Sequence, residues 1–241
     1  MNEYQKFIHK SRYARYLDKE GRRETWEETV QRYCDFWEKP LPDEVKQAIL
    51  DMEIMPSMRA LMTAGPALSR DNMAGYNCSF IAVDHVRAFD ENLYVLLCGT
   101  GVGFSVERQF INKLPDVADS FNNTDTTIVV RDSKIGWASA LRELISLLYQ
   151  GMLPDIDYSR ICPSGARLKT FGGRASGPDP LKKLFTQYKR IFKNAAGRKL
   201  NSIECHDLLC FNGEAVVVGG VRRAAELSLS NRTDERMQRA K

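Results

Sequence analysis

The chain has 241 residues, 43% of them apolar, and its 35 basic and 31 acidic side chains give a formal net charge of +4. That length allows one large domain or two small ones with a buried core, and the nearly balanced charge gives no sign of a nucleic-acid-binding arm. No apolar run reaches the roughly 18 residues that span a bilayer, and the N-terminus lacks the apolar core of a signal peptide, so we expect a cytoplasmic protein that binds neither membrane nor nucleic acid.

The first 65 residues are predicted to be helical. Thr25 and Glu28 have the spacing of a capping box, and the apolar residues after them recur at helical intervals. A second helix is predicted after Pro42. We therefore expect an N-terminal helical region, residues 1–65, followed by a second domain, residues 66–241.

From residue 78 onward, short strand-like runs alternate with amphipathic helices. The predicted strands lie at 78–83, 103–107, 127–130 and 225–229, and the predicted helices at about 89–97, 133–150, 179–197 and 201–216. Gly99 is placed to end the first of these helices, and Asp179 is placed to cap the third, with Pro180 in its first turn. Strands separated by helices of this length predict an α/β fold with parallel strands.

Three glycine clusters, at 99–103, 171–178 and 219–223, lie where a strand meets a helix. Glycine lets the backbone approach a ligand closely and point N–H groups at an anion, and a nearby arginine can add a bidentate phosphate contact. Nucleotide binding is therefore one interpretation. For any single cluster, the stronger interpretation is that its glycines end helices and form turns. No cluster matches a P-loop or a GxGxxG motif.

Few side chains outside these clusters indicate a catalytic or ligand-binding role. Arg142 and Glu143 are expected on a solvated helix face, and His206 as a satisfied or solvent-facing imidazole. The six cysteines include no CxxC pair, which predicts neither a zinc site nor a disulfide framework. Cys78 begins a predicted strand, where a thiol can face a substrate cavity, although a small buried side chain is the more common role.

Eight segments, taken in order, resemble the monomeric adenosylcobalamin-dependent ribonucleoside-triphosphate reductases and cover nearly the whole chain. They lie at 11–15, 24–30, 56–59, 77–80, 99–107, 132–137, 169–178 and 217–227. The resemblance implies an α/β fold in which an N-terminal helical lobe precedes the first half of a ten-stranded α/β barrel. It also implies adenosylcobalamin as cofactor, a ribonucleoside triphosphate as substrate, a deoxynucleotide effector and a thioredoxin-type reductant.

In that family, a thiyl radical made with the cobalamin cofactor abstracts the 3′-hydrogen of the ribonucleotide, and two other cysteines supply the electrons that replace the 2′-hydroxyl. Cys78 matches the first cysteine of that reducing pair. The residues that match substrate-binding segments are Ser57, Asn77, Gly99, Thr100 and Gly101. The specificity loop, which carries information from effector to substrate, is matched by Gly219, Gly220, Val221, Arg222 and Arg223. No residue is assigned to a metal ion.

The family's thiyl cysteine, its neighbouring carboxylate and its second reducing cysteine have no match here, because the sequence contexts of Cys162, Cys205 and Cys210 differ from those motifs. We therefore expect a missing C-terminal half, in the same or in a second chain, and no reductase activity of this chain alone. The short connection at 112–126 predicts a compact version of the members that carry a larger insertion.

Two alternatives stay open at this point. The chain could be a non-catalytic nucleotide-binding or regulatory fragment, which would bind nucleotides without depending on cobalamin. It could also belong to the dimeric, diphosphate-using class II reductases. A test with tri- and diphosphate substrates would distinguish these from the triphosphate-using enzymes.

Overall fold

The computed structural model describes residues 1–39, 41–166, 175–218 and 225–240, except for the side chains of 217 and 218. The chain forms two compact units, Met1–Asn77 and Cys78–Lys241. The domain boundary expected after residue 65 stays a prediction. Within the described ranges, no helix is both long enough and apolar enough to cross a bilayer.

The N-terminal unit is mainly helical. Its elements are α1 (Glu3–Ile8), a π-helix (His9–Tyr13), β1 (Tyr16–Leu17), β2 (Arg22–Arg23), α2 (Trp26–Asp35), α3 (Asp43–Leu50), α4 (Met58–Thr63), α5 (Pro66–Arg70) and a 3-10 helix (Asn72–Gly75). The capping box predicted at Thr25 and Glu28 is confirmed at the start of α2. Buried side chains of α2, α3 and α4, among them Val30, Ile49 and Leu61, form one core cluster.

A buried ion pair links separate parts of this unit. Glu24 is 4% exposed, and its carboxylate accepts hydrogen bonds from Arg32 Nε at 2.7 Å and Nη2 at 2.9 Å. Arg32 also donates to the carbonyl oxygen of Ala64 at 2.7 Å. Burial acts to raise the pKa of Glu24, but the hydrogen bonds and the charge of Arg32 outweigh it and hold that pKa below its ordinary value.

The C-terminal unit alternates strands and helices. Its elements are β3 (Cys78–Ala82), α6 (Ala88–Leu97), β4 (Gly101–Ser105), α7 (Arg108–Ile111), β5 (Asn122–Val129), α8 (Lys134–Tyr149), β6 (Met152–Asp157), α9 (Asp179–Asn194), α10 (Ser202–Val218), β7 (Glu226–Leu229) and α11 (Glu235–Gln238). The predicted α/β character and parallel strands are confirmed. β5 begins earlier than predicted, and β6 is a strand that periodicity did not indicate.

The strands of this unit form two separate sheets. β4 lies between β3 and β7 in a three-stranded parallel sheet, whereas β5 and β6 form a parallel pair of their own. In the three-stranded sheet, Cys78 pairs with Gly101, and Val102 pairs with Glu226. The described strands therefore include an open parallel sheet but no closed barrel.

α6 is the central helix of the unit, because eight of its ten residues are buried. It packs against β3, β4, α8 and α10. Gly99, with φ of 78°, ends this helix as predicted. Arg142 and Glu143 are exposed, as expected, but the Arg142 guanidinium also donates to Asp90 Oδ2 at 2.9 and 2.7 Å, and Asp90 is 1% exposed. The partner is on another helix, which the periodicity of α8 alone cannot reveal.

The start of α9 also differs from the prediction. Pro178 occupies the N-cap position, and Asp179 is the first helical residue, with no capping hydrogen bond from a side chain. The carboxylate still lies in the first turn, where a negative charge interacts favourably with the helix dipole. Asp179 Oδ1 instead accepts a hydrogen bond from Lys182 Nζ at 3.3 Å.

Asn212 is a fully buried polar residue at the centre of the unit. Its Nδ2 donates to the carbonyl oxygen of Phe89 and to Asn92 Oδ1, both at 2.9 Å. Its Oδ1 accepts a hydrogen bond from Tyr188 Oη at 3.1 Å. This one side chain thus joins α6, α9 and α10 through hydrogen bonds that are shielded from water.

We predict that Asn212→Ala lowers the free energy of unfolding by about 3 kcal/mol, because it leaves buried partners without hydrogen bonds. Asn194→Ala, at the exposed end of α9, is the matched control and should change stability little. Urea denaturation of both variants measures the difference. Equal effects of the two substitutions would contradict a structural role for the Asn212 hydrogen bonds.

Candidate functional site

Cys78 lies on an uncovered, largely apolar face of the three-stranded sheet. Side chains alternate along a strand, so Cys78 and Phe80 share one face of β3. Phe80, which is 58% exposed, pairs through Gly103 of β4 with Leu227 of β7, which is 63% exposed. Cys78 is exposed as well. The strand register therefore places an accessible thiol beside apolar side chains that no described residue covers.

The glycines of β4 keep this face open. Gly101 is the register partner of Cys78, and Gly103 lies between Phe80 and Leu227. A Cβ atom at Gly103 would be 3.7 Å from the Phe80 ring, an ordinary van der Waals distance, so the fold does not require glycine there. The two glycines add no side-chain bulk to this face of the central strand, where another molecule or chain segment could approach the backbone.

The backbone at residues 99 and 100 caps α6. The amide N–H of Gly99 donates to the carbonyl oxygen of Leu96 at 2.8 Å, and that of Thr100 donates to the carbonyl oxygen of Val95 at 3.3 Å. These two N–H groups therefore bond carbonyl oxygens in the last turn of α6, which agrees with the interpretation of this glycine cluster as a helix end. Substrate contacts of Gly99, Thr100 and Gly101 stay a prediction.

Ser57 and Asn77 belong to the N-terminal unit. Ser57 caps α4, with its Oγ accepting a hydrogen bond from the amide of Ala60 at 3.3 Å. Asn77 Oδ1 accepts a hydrogen bond from Arg59 Nε at 2.8 Å. The structure thus joins two of the segments that carry the family resemblance, 56–59 and 77–80, through one side-chain hydrogen bond.

The predicted specificity loop falls outside the described residues: Gly219, Gly220, Val221, Arg222 and Arg223 all lie there. Its flanks are described, because α10 runs to Val218 and β7 begins at Glu226. The loop therefore connects a long buried helix to an edge strand of the sheet that carries Cys78.

Glu226 is a functional candidate that lies in the 217–227 segment of the family resemblance but for which the sequence predicted no role of its own. Its side chain turns away from the face of Cys78, and Oε1 accepts a hydrogen bond from Asn92 Nδ2 at 3.0 Å. Burial raises the pKa of Glu226 to about 7, against the opposing effect of the Asn92 hydrogen bond. The only local signal was a glutamate inside a strand of alternating polarity, and that pattern usually places the polar side chains in solvent.

The neighbouring face of α10 carries a histidine and a thiol. His206 Nδ1 lies 2.9 Å from Ser228 Oγ of β7, so the expectation of a satisfied imidazole is confirmed. Cys210 Sγ lies 3.5 Å from His206 Nε2, and burial raises the pKa of this thiol to about 11. A thiol with that pKa stays protonated at neutral pH and is a poor nucleophile.

A metal or corrinoid site is not evident in the described part of the chain. No three histidine, cysteine, aspartate or glutamate side chains converge there to hold a metal ion. Two cavities, of 290 and 550 Å³, are lined by residues of α9 and α10 and by residues around Trp37, respectively. Neither is lined by Cys78.

Comparison with known proteins identifies a consistent set of relatives. The family model for the insertion domain of B12-dependent ribonucleotide reductase matches residues 107–192. The adenosylcobalamin-dependent ribonucleoside-triphosphate reductase of Lactobacillus delbrueckii subsp. bulgaricus is 29% identical over 94% of this chain and 41% of its own length. That of Euglena gracilis is 27% identical over 90% of this chain and 33% of its own length.

A solved structure supports the same relationship. The crystal structure of a B12-dependent (class II) ribonucleotide reductase superposes with a TM-score of 0.83 and 25% sequence identity, covering 96% of this chain and 42% of that chain. The chain thus spans about two fifths of the length of these relatives. The parallel sheet and helices described above are those of the class II reductase fold.

The insertion-domain match bears on the connection at residues 112–126. The matched range includes α8 and also β5 and β6, the parallel pair that stands apart from the sheet of Cys78. The alignment with the Lactobacillus enzyme extends over 301 positions, more than the 241 residues of this chain. The relative therefore carries additional residues within the matched span, and a compact connection at 112–126 stays a prediction.

We predict that Cys78 in the native chain reacts with iodoacetamide, whereas Cys205 reacts only after denaturation. Cys78 is exposed, but Cys205 is fully buried, and burial raises the pKa of its thiol far above the ordinary value. Mass spectrometry of tryptic peptides gives the labelled fraction of each cysteine. If Cys78 were as well protected from alkylation as Cys205, the sheet face that carries Cys78 would not be exposed.

Proposed function

We infer that the chain, whose sequence and fold match the N-terminal portion of the adenosylcobalamin-dependent ribonucleoside-triphosphate reductases, works as that portion of an enzyme that reduces ribonucleotides to deoxyribonucleotides. The observation that carries this proposal is the position of Cys78, an exposed thiol on an open apolar sheet face beside a glycine. A substrate sugar can reach such a thiol only where neighbouring side chains leave room.

Cys78 is proposed to supply reducing equivalents. Replacing the 2′-hydroxyl with hydrogen consumes two electrons and two protons: one hydrogen goes to the sugar carbon, and the hydroxyl leaves as water. Two thiols provide both as they join in a disulfide, which an external dithiol then reopens. In the described chain Cys78 forms no disulfide, so the second thiol of the pair would come from the remaining polypeptide.

The apolar surroundings of Cys78 fit this role. Once the remaining polypeptide covers Phe80, Leu227 and Leu229, the thiol would face a site from which bulk water is largely excluded. Exclusion of water protects reactive intermediates from side reactions. A cycle of thiol oxidation and reduction by a thioredoxin-type partner also suits a reducing compartment, which is consistent with a cytoplasmic location.

Adenosylcobalamin, when bound, would supply the radical that starts the reaction. The proposal assigns the cofactor, the hydrogen-abstracting cysteine and the closing strands of the barrel to polypeptide outside this chain, either a continuation or a second subunit. The open sheet face with Cys78 is the surface that this polypeptide would cover.

Ribonucleoside triphosphates are the proposed substrates, and deoxynucleotides are the proposed effectors. The segment Gly219 to Arg223 would read the effector, because a glycine-rich turn can expose N–H groups while Arg222 and Arg223 contact phosphate. Its attachment to β7 supports this role: β7 pairs with β4, which in turn carries the register partner of Cys78.

We predict that Cys78→Ser abolishes multiple turnovers in a complete enzyme built from this chain and the remaining polypeptide, because a serine hydroxyl cannot form a disulfide. In the wild type, a single turnover without external reductant should make Cys78 resistant to alkylation until dithiothreitol is added. The matched control is Cys205→Ser, at a buried site away from the sheet face. Sustained turnover by Cys78→Ser, or Cys78 that stays alkylatable after turnover, would overturn its role.

A second prediction concerns the arginines of the proposed specificity loop. Replacing both Arg222 and Arg223 with alanine in the complete enzyme should change the ratio of products formed with each of the four deoxynucleoside triphosphates more than tenfold, while the effector-free rate falls less, because two bidentate contacts are lost. Competition assays with mixed ribonucleotides measure this ratio. A uniform loss of rate with unchanged ratios would instead indicate a role in folding.

A further inference from the structure

Glu226 is a half-buried residue whose carboxyl group the proposed chemistry does not use. It stands at the end of a continuous series of hydrogen bonds: Tyr188 Oη donates to Asn212 Oδ1 at 3.1 Å, Asn212 Nδ2 donates to Asn92 Oδ1 at 2.9 Å, and Asn92 Nδ2 donates to Glu226 Oε1 at 3.0 Å. These four residues lie on α9, α10, α6 and β7. The series therefore links three helices to the strand that directly follows the proposed specificity loop.

The carboxyl group is held from two sides. Asn92 bonds one oxygen, and the backbone of α10 lies against the other: a Cβ atom at Gly213 would overlap Glu226 Oε2. Glycine at position 213 thus lets the carboxyl group rest directly on the helix. In this arrangement the group has little freedom to move while β7 remains in place.

No cation among the described residues neutralises this group. Among the described residues, the charged and titratable neighbours of Glu226 are Asp90 on α6, Tyr188 on α9, and Cys210 and His206 on α10. The described residues of β4 beside it, Val102 and Gly103, carry no charge. Asp90 is already paired with Arg142 of α8. Ionised Glu226 would therefore be a half-buried anion whose only described hydrogen-bond donor is one neutral amide, which is unfavourable.

We propose that Glu226 is a positioning residue: its neutral carboxyl group fixes the start of β7 against α6 and α10, and its ionisation weakens that attachment. Because residues 219–223 are the proposed effector-reading loop, the regulatory meaning of this inference rests on the proposed function. The structural part, a proton-controlled attachment of β7, is independent of it.

The direction of the effect follows from the pKa of Glu226, which burial raises from 4.5 to about 7. Between these two values the attached state keeps its proton, whereas a released carboxyl group loses it. The attached state is therefore favoured at low pH and loses stability as pH rises toward about 7, beyond which the penalty is constant. His206 acts in the opposite direction, because burial lowers its pKa and its protonation at low pH disfavours the folded state.

Amide hydrogen exchange of the intact chain tests the proposal. We expect the protection factors of residues 225–229, corrected for the intrinsic exchange rate at each pH, to fall about tenfold between about pH 6 and about pH 8. In Glu226→Gln, which mimics the neutral acid, that fall should disappear. Glu143→Gln, at an exposed position of α8, is the matched control and should keep the wild-type profile.

Two results would overturn the proposal. One is a wild-type protection profile for 225–229 that does not fall over this pH range, and the other is an identical fall in Glu226→Gln. If that variant does not fold, carbon-13 NMR of the Glu226 carboxyl in the wild-type chain decides instead: a midpoint near 7 supports the proposal, and one near 4.5 refutes it.

Calorimetric titration with dATP, dGTP, dCTP and dTTP separates this inference from the proposed function. Nucleotide binding that weakens as pH rises in the wild type, but not in Glu226→Gln, supports both. Binding without any effect of pH or of Glu226→Gln leaves the proposed function standing and refutes the regulatory meaning. A pH-dependent protection profile in a complete enzyme that neither binds nor responds to these nucleotides would refute the proposed function and leave the attachment of β7 intact.

Discussion

Hydrogen bonding along both edges of β4 is the constraint on which the rest of the C-terminal unit depends. One edge pairs with β3 from Cys78 to Ala82, and the other pairs with β7 from Glu226 to Leu229. Because both pairings are parallel, each connection must return the chain to the same end of the sheet, which the helices of the unit accomplish. The register of β4 then determines that the thiol of Cys78 and the carboxyl group of Glu226 lie on opposite faces.

The two faces of this sheet differ in a way that reverses the usual pattern. In β7 the leucines are exposed, whereas Glu226 and Ser228 point toward α6 and α10 and are bonded there. In a sheet with one face in solvent, the polar side chains normally lie on that face and the apolar side chains pack against the protein core. The reversal makes sense if both faces are interior in the working protein: one packs against helices through polar hydrogen bonds, and the other surrounds a reaction site.

Local patterns in the sequence predicted what local interactions decide. The capping box at Thr25, the end of α6 at Gly99 and the parallel α/β character follow from neighbours a few residues apart, and all were confirmed. Periodicity could not predict that β5 and β6 stand apart from the other strands, nor that Arg142 pairs with Asp90, because those outcomes depend on residues that are distant in sequence. The thiol of Cys78 was found through the family resemblance, whereas Glu226 became visible only once α6 and α10 were in place.

The parallel pairing of β4 with β7 also affects how the chain acquires its structure. The hydrogen bond between Asn92 and Glu226 spans 134 positions, so it can form only after β7 has been synthesised. Until then β4 has one unpaired edge and α6 lacks part of its packing, while β5, α8 and β6 contact partners nearer in the sequence. Contacts of such long range slow folding and expose strand edges to wrong partners. The pairing of β4 with β7 therefore waits for the synthesis of β7, and the nascent chain relies on α6 and the earlier strands remaining unaggregated until then.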